Sequence, residues 1–407
     1  MRLVKLGVCS VNTTVGAHRH NVDRALALAE KMAGEHVTVA AFQEQLVGGY
    51  PPEDLVQWQG FVQRQWAELL RFAERTAKLP TVFVVGVTVS HEGLRFNCAA
   101  VVAGGRVVGL VPKEKLPTYS VFYEARTFSR GRPGMNERHQ GAPFGDFLFR
   151  FDFGTLAAEV CEDLWSPDGP IRRRSYSGAE LVVNISASPY RIGFVESRRE
   201  LISTRASDHQ VLLVYSNGVG ANDGLIFDGG GYVNQNGRQL LEARRFQEGY
   251  ATVTADLDRT ARLRTENTTW RVDQEDYVRA SPTVPVIDVT TTGFRTQRAP
   301  LRYPVPEHRS FFVPPPKPPV NPRAAFCEEI LDALALGVGD YFEKTGAFRK
   351  FGIALSGGRD SLLTLLVLHR YARRRNPGNP GALIDAFYMP SRYSSDQTRK
   401  AAETICR

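Results

Sequence analysis

Cysteine is scarce in this chain of 407 residues, which has only five. They are Cys9, Cys98, Cys161, Cys327 and Cys406. Their number is odd, their positions are scattered, and no two of them have the CxxC spacing of a zinc ribbon or a redox motif. This pattern argues against a disulfide framework and predicts a reducing, cytoplasmic location.

Long apolar runs are also missing from the sequence. No stretch approaches the roughly 20 apolar residues that a membrane span requires, so we expect no membrane partner. The first ten residues, MRLVKLGVCS, have the pattern of a strand and lack the long apolar core of a signal peptide. Neither HExxH nor GxSxG is present, which argues against a histidine-bound catalytic metal and against a Ser-His-Asp hydrolase.

Positive charge is in excess but is not concentrated. The chain has 51 Lys and Arg residues against 43 Asp and Glu, a formal net charge of +8. No nucleic-acid recognition motif accompanies these residues, so we do not expect nucleic-acid binding. The arginine run at 172–174 is interpreted as the solvated face of a helix. The excess charge is equally suited to attracting a phosphorylated substrate.

The distribution of strand, helix and proline signals predicts two domains. Residues 1–290 show many strands, several hairpins and few helices, which favours two stacked sheets covered by helices over a doubly wound parallel sheet. Residues 291–322 are predicted to be a linker, because nine prolines lie within residues 299–322. Residues 323–407 alternate helix and strand signals, which indicates the start of an α/β domain with a parallel sheet.

Two stretches carry the main chemical signals. Residues 156–165, LAAEVCEDLW, are typical of an apolar strand that presents Cys161 at its end, where a nucleophile is rigidly held. By itself this pattern is more typical of a buried core cysteine. Residues 356–361, SGGRDS, lie between a predicted strand and a predicted helix. Glycines there let successive N–H groups converge on an anion, and the helix N-terminus adds positive potential.

Both halves of the chain resemble known families. SGGRDS is similar to the SGGxDS pyrophosphate loop of N-type ATP pyrophosphatases, and residues 388–395, YMPSRYSS, resemble the MPSxYSS segment of NAD synthetases. Residues 1–290 resemble the nitrilase, or carbon-nitrogen hydrolase, superfamily. Together they resemble the glutamine-dependent NAD synthetase family. This resemblance implies a nitrilase-type α-β-β-α sandwich followed by the first part of a doubly wound, adenine-nucleotide alpha-hydrolase-like α/β domain.

The resemblance implies a Glu-Lys-Cys catalytic triad. Glu44 lies in FQEQLVGGYPPEDL, Lys113 in PKEKLPTYSVFYEAR and Cys161 in VCEDLW, and each string is similar to a nitrilase-family motif. Glu44 would act as general base, Cys161 as nucleophile towards glutamine, and Lys113 as the cation that stabilises the oxyanion. Lys115 is the competing lysine, but the motif places the catalytic residue first.

Further residues are assigned by the same resemblance. Glu124 is implied to support the lysine and the nucleophile, and Tyr119 and Ser188 to contact glutamine. Two positions depart from the family pattern. Gln43 replaces a proline before the catalytic glutamate, and Phe194 stands where related synthetases commonly have a basic residue that helps to hold glutamine. Whether Arg191 substitutes for that basic residue is left open.

The resemblance also implies a second reaction. ATP would adenylate deamido-NAD, and ammonia carried from the glutaminase site would displace AMP to give NAD. The residues implied to hold the pyrophosphate of ATP and its Mg²⁺ are Ser356, Gly357, Gly358, Asp360 and Ser361. Arg359 is unusual, because an aliphatic residue is common at its position.

Three expectations concern the chain as a whole. Family members continue beyond the position of Arg407, so we expect the second domain to be incomplete and this chain to retain only the glutaminase part. Related enzymes form assemblies of several identical subunits, so the resemblance implies that this protein is a homo-oligomer. The alternative functions are a stand-alone nitrilase or amidase acting on another carboxamide and, from the PPPKPP run, a polyproline interaction module.

Overall fold

The chain divides into two units in the computed structural model, which describes residues 1–306, 310–390 and 392–406. The first unit comprises Met1–Val219 and Phe227–Pro315. The second comprises Gly220–Ile226 and Pro316–Arg407. The predicted boundaries at residues 290 and 322 stay predictions.

Two large sheets form the centre of the first unit. The strands up to residue 288 are β1 (Leu3–Ser10), β2 (Val39–Ala41), β3 (Val82–His91), β4 (Leu94–Ala103), β5 (Arg106–Pro112), β6 (Asn136–His139), β7 (Ala142–Gly145), β8 (Leu148–Phe151), β9 (Gly154–Val160), β10 (Leu181–Ser186), β11 (Leu212–Asn217), β12 (Val219–Asn222), β13 (Leu225–Asp228), β14 (Gly231–Gln235), β15 (Arg238–Glu242), β16 (Gly249–Asp256) and β17 (Val286–Asp288). One sheet has the order β16-β1-β2-β3-β4-β5-β7-β6, and the other has the order β15-β14-β11-β10-β9-β8-β17. The paired strands β12 and β13 form a separate hairpin.

Helices cover the outer faces of both sheets. They are α1 (His18–Gly34), α2 (Gln59–Arg75), α3 (Glu162–Trp165), α4 (Ile171–Tyr176), α5 (Phe194–Asp208), α6 (Leu257–Glu266) and α7 (Thr268–Ala280). Short 3₁₀ turns lie at Glu53–Gln57, Glu124–Arg126 and Val289–Thr292.

Alternation along the strands creates three apolar layers. Val8 of β1 and Val160 of β9 point between the two sheets, where they share one buried cluster. The next residue in β1, Cys9, points outwards and packs in the cluster that includes Phe72 of α2. On the other side, Ile202 of α5 packs against the seven-stranded sheet. This α-β-β-α arrangement confirms the predicted sandwich.

The second unit has a smaller core. It contains α8 (Pro322–Thr345), β18 (Phe351–Ala354), α9 (Arg359–Arg375), β19 (Ile384–Phe387) and α10 (Asp396–Cys406), with a 3₁₀ turn at Pro380–Leu383. Strands β18 and β19 are parallel, which confirms the predicted α/β pattern. Ser391 of the MPSRYSS string lies outside the described residues, as does Arg407.

Residues 220–226 belong to the second unit although they lie in the middle of the first unit's sequence. Ala221 N–H donates to Asp340 Oδ2 of α8 at 2.5 Å, and Lys344 Nζ donates to the Ala221 carbonyl at 2.7 Å. These bonds hold the tip of the β12–β13 hairpin on α8. The sequence did not predict that residues 220–226 belong to the second unit.

In the part of the chain that the structure describes, no helix has the length and apolar character needed to cross a membrane.

The interpretation of the arginine run at 172–174 as a solvated face is wrong for two of its three members. Consecutive helical residues point about 100° apart, so three of them cannot share one face. Arg174 is fully buried, donating to the Ala158 carbonyl at 2.8 Å and to Asp146 Oδ1 at 3.1 Å. Arg173 is largely buried and donates to Asp146 Oδ2 at 2.8 Å. Arg172 alone is exposed.

Beside Arg174 lies a carboxylate that the sequence did not single out. Glu159 of β9 is fully buried, and its Oε1 is 3.5 Å from Arg174 Nη1. Among the described residues, no donor forms a hydrogen bond with either of its oxygens. Burial disfavours the charged form and raises the pKa of Glu159 to about 8.

We expect Glu159→Gln to stabilise the protein increasingly, relative to wild type, as the pH rises from 4.5 to about 8. Unfolded Glu159 loses its proton near pH 4.5 whereas the folded residue keeps it to about pH 8, so the wild type loses stability across this window. Glutamine does not titrate. Thermal melting midpoints measured from pH 5 to about pH 8.5 test this expectation.

The control is Glu196→Gln, which makes the same change at a carboxylate whose side chain is 63% exposed. Its melting midpoint is expected to stay close to that of the wild type, because an exposed side chain makes few contacts. A Glu159→Gln difference that does not grow with pH would contradict the assignment of Glu159 as protonated at neutral pH.

Candidate active site

The three predicted triad residues each follow the end of a strand. Glu44 lies three residues after β2, Lys113 directly follows β5, and Cys161 directly follows β9. Strands β2 and β5 belong to the eight-stranded sheet and β9 to the seven-stranded sheet. All three side chains are buried. The site is therefore assembled from both sheets of the sandwich.

Lys113 is the centre of a buried ion cluster. Its ammonium donates to Glu44 Oε1 and to Glu124 Oε1, both at 2.8 Å. Burial acts to lower the pKa of Lys113, but the two carboxylates together hold this pKa well above its ordinary value. Burial raises the pKa of Glu124 to about 7 even though Lys113 opposes this rise. Lys113 is therefore a permanent cation, and Glu124 is poised to exchange a proton near neutral pH.

Glu44 is fixed by donors on both of its oxygens. Besides Lys113, Asn97 Nδ2 donates to Oε1 at 2.6 Å, and the Ala187 N–H donates to Oε2 at 3.0 Å. The backbone around Glu44 lies directly against Gly86 of β3, where a Cβ atom would overlap Gln45. A carboxylate held in this way is pre-organised to accept a proton from one direction.

Cys161 occupies a strained turn between β9 and α3. Its φ is 45° and its ψ is −100°, a conformation that L-residues rarely adopt, and its N–H donates to the Ile185 carbonyl at 2.8 Å. Burial and the charge of Glu44 raise the pKa of the thiol well above its usual range, whereas Lys113 lowers it. The thiol therefore needs a base to ionise it, and Glu44 is the carboxylate with the largest influence on its charge.

The two residues expected to contact substrate lie at different depths. Ser188 is buried, with Oγ 3.8 Å from Cys161 Sγ and 2.8 Å from the Tyr215 hydroxyl. Tyr119 is 56% exposed, and its hydroxyl lies 3.0 Å from both carboxylate oxygens of Glu162. Burial and the Glu162 carboxylate raise the pKa of Tyr119 to about 12, so it is a hydrogen-bond donor at neutral pH.

Three residues of the site were missed by sequence reasoning. Asn97 donates to Glu44, the Tyr50 hydroxyl donates to Glu124 Oε1 at 3.2 Å, and Glu162 accepts from Tyr119. Tyr50 lies within the FQEQLVGGYPPEDL string, and Glu162 follows Cys161 directly, so both positions were available from the motifs. Asn97 is an inconspicuous residue of β4, and no local pattern distinguishes it.

Both departures from the family pattern have structural explanations. The Gln43 side chain accepts from the Val11 N–H at 3.0 Å and donates to the Val11 carbonyl at 2.5 Å, which ties the Glu44 segment to the end of β1. The Phe194 ring stacks on Trp165 with centroids 5.1 Å apart, and the Arg191 guanidinium lies 3.9 Å from the Phe194 centroid. Arg191 is thus held over an aromatic platform.

The SGGRDS loop of the second unit forms a tight turn before α9. Gly357 has φ of +78°, and a Cβ atom there would overlap the Thr398 carbonyl. Ser361 Oγ accepts from the Ser356 N–H at 3.3 Å, and Ser356 Oγ accepts from the Gly358 N–H at 3.2 Å. Asp360, in the first turn of α9, is exposed. The loop presents a helix N-terminus together with a carboxylate and two hydroxyls.

A separate group in the described part of the chain has metal-ligand chemistry. Ligand atoms of His91, Glu92 and Glu137 lie within 4.8 Å of one another. His91 Nε2 is hydrogen-bonded to Glu137 Oε2 at 2.8 Å, which accounts for that pair without an ion. None of the three belongs to the Lys113 cluster.

The sequence of this chain is similar to those of known proteins. The sequence profile described as carbon-nitrogen hydrolase matches residues 5–265. Glutamine-dependent NAD(+) synthetase of Thermotoga maritima is 30% identical over 409 aligned residues, which cover 100% of this chain and 64% of that protein. The chain thus spans less than two thirds of the length of this curated relative.

Two solved structures share the fold. A glutamine-dependent NAD(+) synthetase from Cytophaga hutchinsonii superimposes with a TM-score of 0.74 at 19% identity, covering 99% of this chain and 63% of that one. A synthetase of the same name from Acinetobacter baumannii, in complex with ADP, gives a TM-score of 0.71 at 24% identity, covering 98% and 62%.

We expect Lys113→Met to slow alkylation of Cys161 by iodoacetamide at pH 8 by about tenfold or more. Removing the ammonium raises the pKa of the thiol, and each unit of increase lowers the thiolate fraction about tenfold. Because Cys327 and Cys406 are exposed, the rate is followed by mass spectrometry on the peptide that contains Cys161.

Lys115→Met is the matched control, since the Lys115 side chain is 35% exposed and lies 4.0 Å from exposed Asp168. It is expected to leave the alkylation rate unchanged, and circular dichroism confirms that both variants are folded. Equal slowing in the two variants would contradict the assignment of Lys113 over Lys115.

Proposed function

Because the chain belongs to the carbon-nitrogen hydrolase family, we propose that its first unit hydrolyses the side-chain amide of glutamine and releases ammonia. The observation that carries this proposal is the buried Lys113 ammonium, which is bonded to Glu44 and Glu124 and is a neighbouring charge that lowers the pKa of Cys161. A base, a cation and a thiol in one buried site are the groups that acyl transfer from a carboxamide requires.

The first half of the reaction forms a thioester. Glu44 takes the proton of the Cys161 thiol as the sulfur attacks the amide carbon, and the carbonyl oxygen becomes an oxyanion that the Lys113 ammonium stabilises. The tetrahedral intermediate collapses when Glu44 returns the proton to the nitrogen, and ammonia leaves. The acyl group then remains on Cys161 Sγ.

The second half releases the acid. Glu44 removes a proton from a water molecule, and the resulting hydroxide attacks the thioester carbon. The Cys161 thiolate leaves and is reprotonated by Glu44, which restores the site and frees glutamate. Each proton that Glu44 takes is returned within the cycle, so no external acid is needed.

Charged groups at the mouth suit a free amino acid. The Glu162 carboxylate, oriented by the Tyr119 hydroxyl, offers a partner for an ammonium group. The Arg191 guanidinium, held over Phe194, offers a partner for a carboxylate. Deep in the site, Ser188 Oγ would contact the amide beside Cys161. We infer that glutamine binds with its α-substituents at the mouth and its amide at the thiol.

For the second unit we propose that it contributes the ATP-binding loop of a site for ATP-dependent amidation of deamido-NAD to NAD, with the ammonia released by the first unit. This proposal is supported by the SGGRDS turn at the start of α9 and by the name of the curated relative. The loop residues Ser356, Gly357, Gly358 and Ser361 would hold the pyrophosphate of ATP. Asp360 would hold Mg²⁺, which neutralises phosphate charge when bound. A homo-oligomer and a cytoplasmic location stay predictions.

We expect the chain to release glutamate from glutamine, and Cys161→Ala to lower kcat by at least about 10³-fold, since the nucleophile is lost. The control is Cys327→Ala, an exposed cysteine of the second unit, which should retain full activity. Glutamate is measured by a coupled dehydrogenase assay. Cys161-dependent cleavage of another carboxamide without glutamine turnover would replace glutamine as the substrate, and inactivity of the folded chain towards all amides tested would contradict the proposal.

We expect Gly357→Ala to weaken binding of Mg-ATP by about tenfold or more, which is about 1.4 kcal/mol. Its positive φ and the overlap of a Cβ atom with Thr398 would distort the loop. Isothermal titration calorimetry of the full chain gives both affinities. Gly378→Ala, a change in the same unit with open space around its Cβ, is the control. Absence of ATP binding by the wild type would contradict the assignment of this loop.

A further inference from the structure

Asp163 binds the backbone next to Lys113 and next to Cys161, and its own hydrogen bonds go to backbone N–H groups. It lies in α3, two residues after Cys161, and is fully buried. Its Oδ1 accepts from the Glu114 N–H at 3.0 Å and from the Lys115 N–H at 2.9 Å. Its Oδ2 accepts from the Val160 N–H at 3.2 Å.

These three N–H groups flank two catalytic residues. Val160 immediately precedes Cys161, and Glu114 immediately follows Lys113. The Val160 side is the end of β9 in the seven-stranded sheet, and the Glu114 side is the end of β5 in the eight-stranded sheet. Stacked sheets share no ladder of backbone hydrogen bonds, because about 10 Å separates them. The Asp163 carboxylate therefore makes a backbone connection between the sheets at the catalytic end.

We propose that Asp163 is a positioning residue that fixes the separation of Lys113 and Cys161 by binding the backbone on either side of the gap between the two sheets. The inference rests on the proposed function, in which the Lys113 ammonium stabilises the oxyanion formed at the carbon bonded to Cys161. Stabilisation of this kind requires the donor to lie within hydrogen-bonding distance of the oxyanion. A displacement of about 1 Å can cost about 10²-fold in rate.

The charge of the carboxylate matters as well as its position. Burial raises the pKa of Asp163 to about 6, so it is ionised at pH 8. An ionised acceptor forms stronger hydrogen bonds to N–H groups than a neutral one. Asparagine would offer one oxygen in place of two, and its NH₂ group would face an N–H group of the backbone. One of the two segments would then lose its partner.

The test compares Asp163→Asn with Asp146→Asn in the full chain at pH 8. Asp146 is also buried, and it accepts hydrogen bonds from Arg173 and Arg174 in the neighbouring ion network. Asp146→Asn therefore removes the same charge as Asp163→Asn, but in that network. Asp146 binds neither Val160 nor the backbone after Lys113. We expect Asp163→Asn to lower kcat for glutamine by about 10²-fold with a much smaller change in KM. It should also slow iodoacetamide alkylation of Cys161, whereas Asp146→Asn should do neither.

The two readouts separate this inference from the proposed function. If the wild type does not hydrolyse glutamine, the proposed function fails, and the ratio of alkylation rates still decides the role of Asp163. An unchanged alkylation rate in folded Asp163→Asn overturns the inference. Equal slowing in Asp146→Asn with an equal loss of melting temperature also overturns it, because the effect then belongs to the ion network.

A second variant covers the case in which Asp163→Asn does not fold. Asp163→Glu keeps the charge beside Arg174 but moves the carboxylate by one methylene, so it is expected to fold and to show slowed alkylation. A folded Asp163→Glu protein with the wild-type rate overturns the inference. If neither variant folds, Asp163 is a determinant of the fold, and the positioning role is rejected.

Discussion

The buried contact of the Lys113 ammonium with Glu44 and Glu124 is the interaction on which the rest of the site depends. One cation between two carboxylates leaves the trio with a net negative charge when all three groups are ionised. Burial raises the pKa of Glu124 to about 7, and the Glu44 carboxylate adds to this rise while Lys113 opposes it. Removing one member of a buried ion pair typically costs about 3–5 kcal/mol, because the remaining charge is left unpaired. The three residues therefore form one unit, in which changing any member alters the charge felt by Cys161.

The fold supplies what this cluster cannot supply for itself, which is fixed geometry. Glu44, Lys113 and Cys161 each follow the end of a strand that is paired within its sheet, so the sheets limit where these three Cα atoms lie. Cys161 adds local strain, with φ of 45°. Strain persists only where the surroundings over-determine the conformation, and here the Ile185 carbonyl and the Asp163 carboxylate bind the amides of Cys161 and Val160. Ile185 belongs to the seven-stranded sheet, and Asp163 also accepts from N–H groups that follow β5 of the eight-stranded sheet, so the turn has hydrogen-bond partners from both sheets.

Sequence reasoning predicted the sandwich and the positions of Glu44, Lys113 and Cys161, because alternation and family strings are properties of consecutive residues. It did not predict Asn97 or Asp163, whose roles arise from contacts with segments about 50 residues away in the chain. The arginine run at 172–174 was misinterpreted for the same reason. Composition identified three charges, but only packing shows that Arg174 is enclosed by acidic partners.

The environment of Phe194 shows where a positive charge lies at a position whose sequence departs from the family pattern. An aromatic ring in place of a basic side chain removes one positive charge from α5. The same ring, stacked on Trp165, provides the surface over which the Arg191 guanidinium lies. Arg191 is also close enough to Tyr119 for its charge to lower the pKa of that hydroxyl, opposite to the effect of Glu162. One negative group, Glu162, and one positive group, Arg191, therefore act on the same tyrosine hydroxyl.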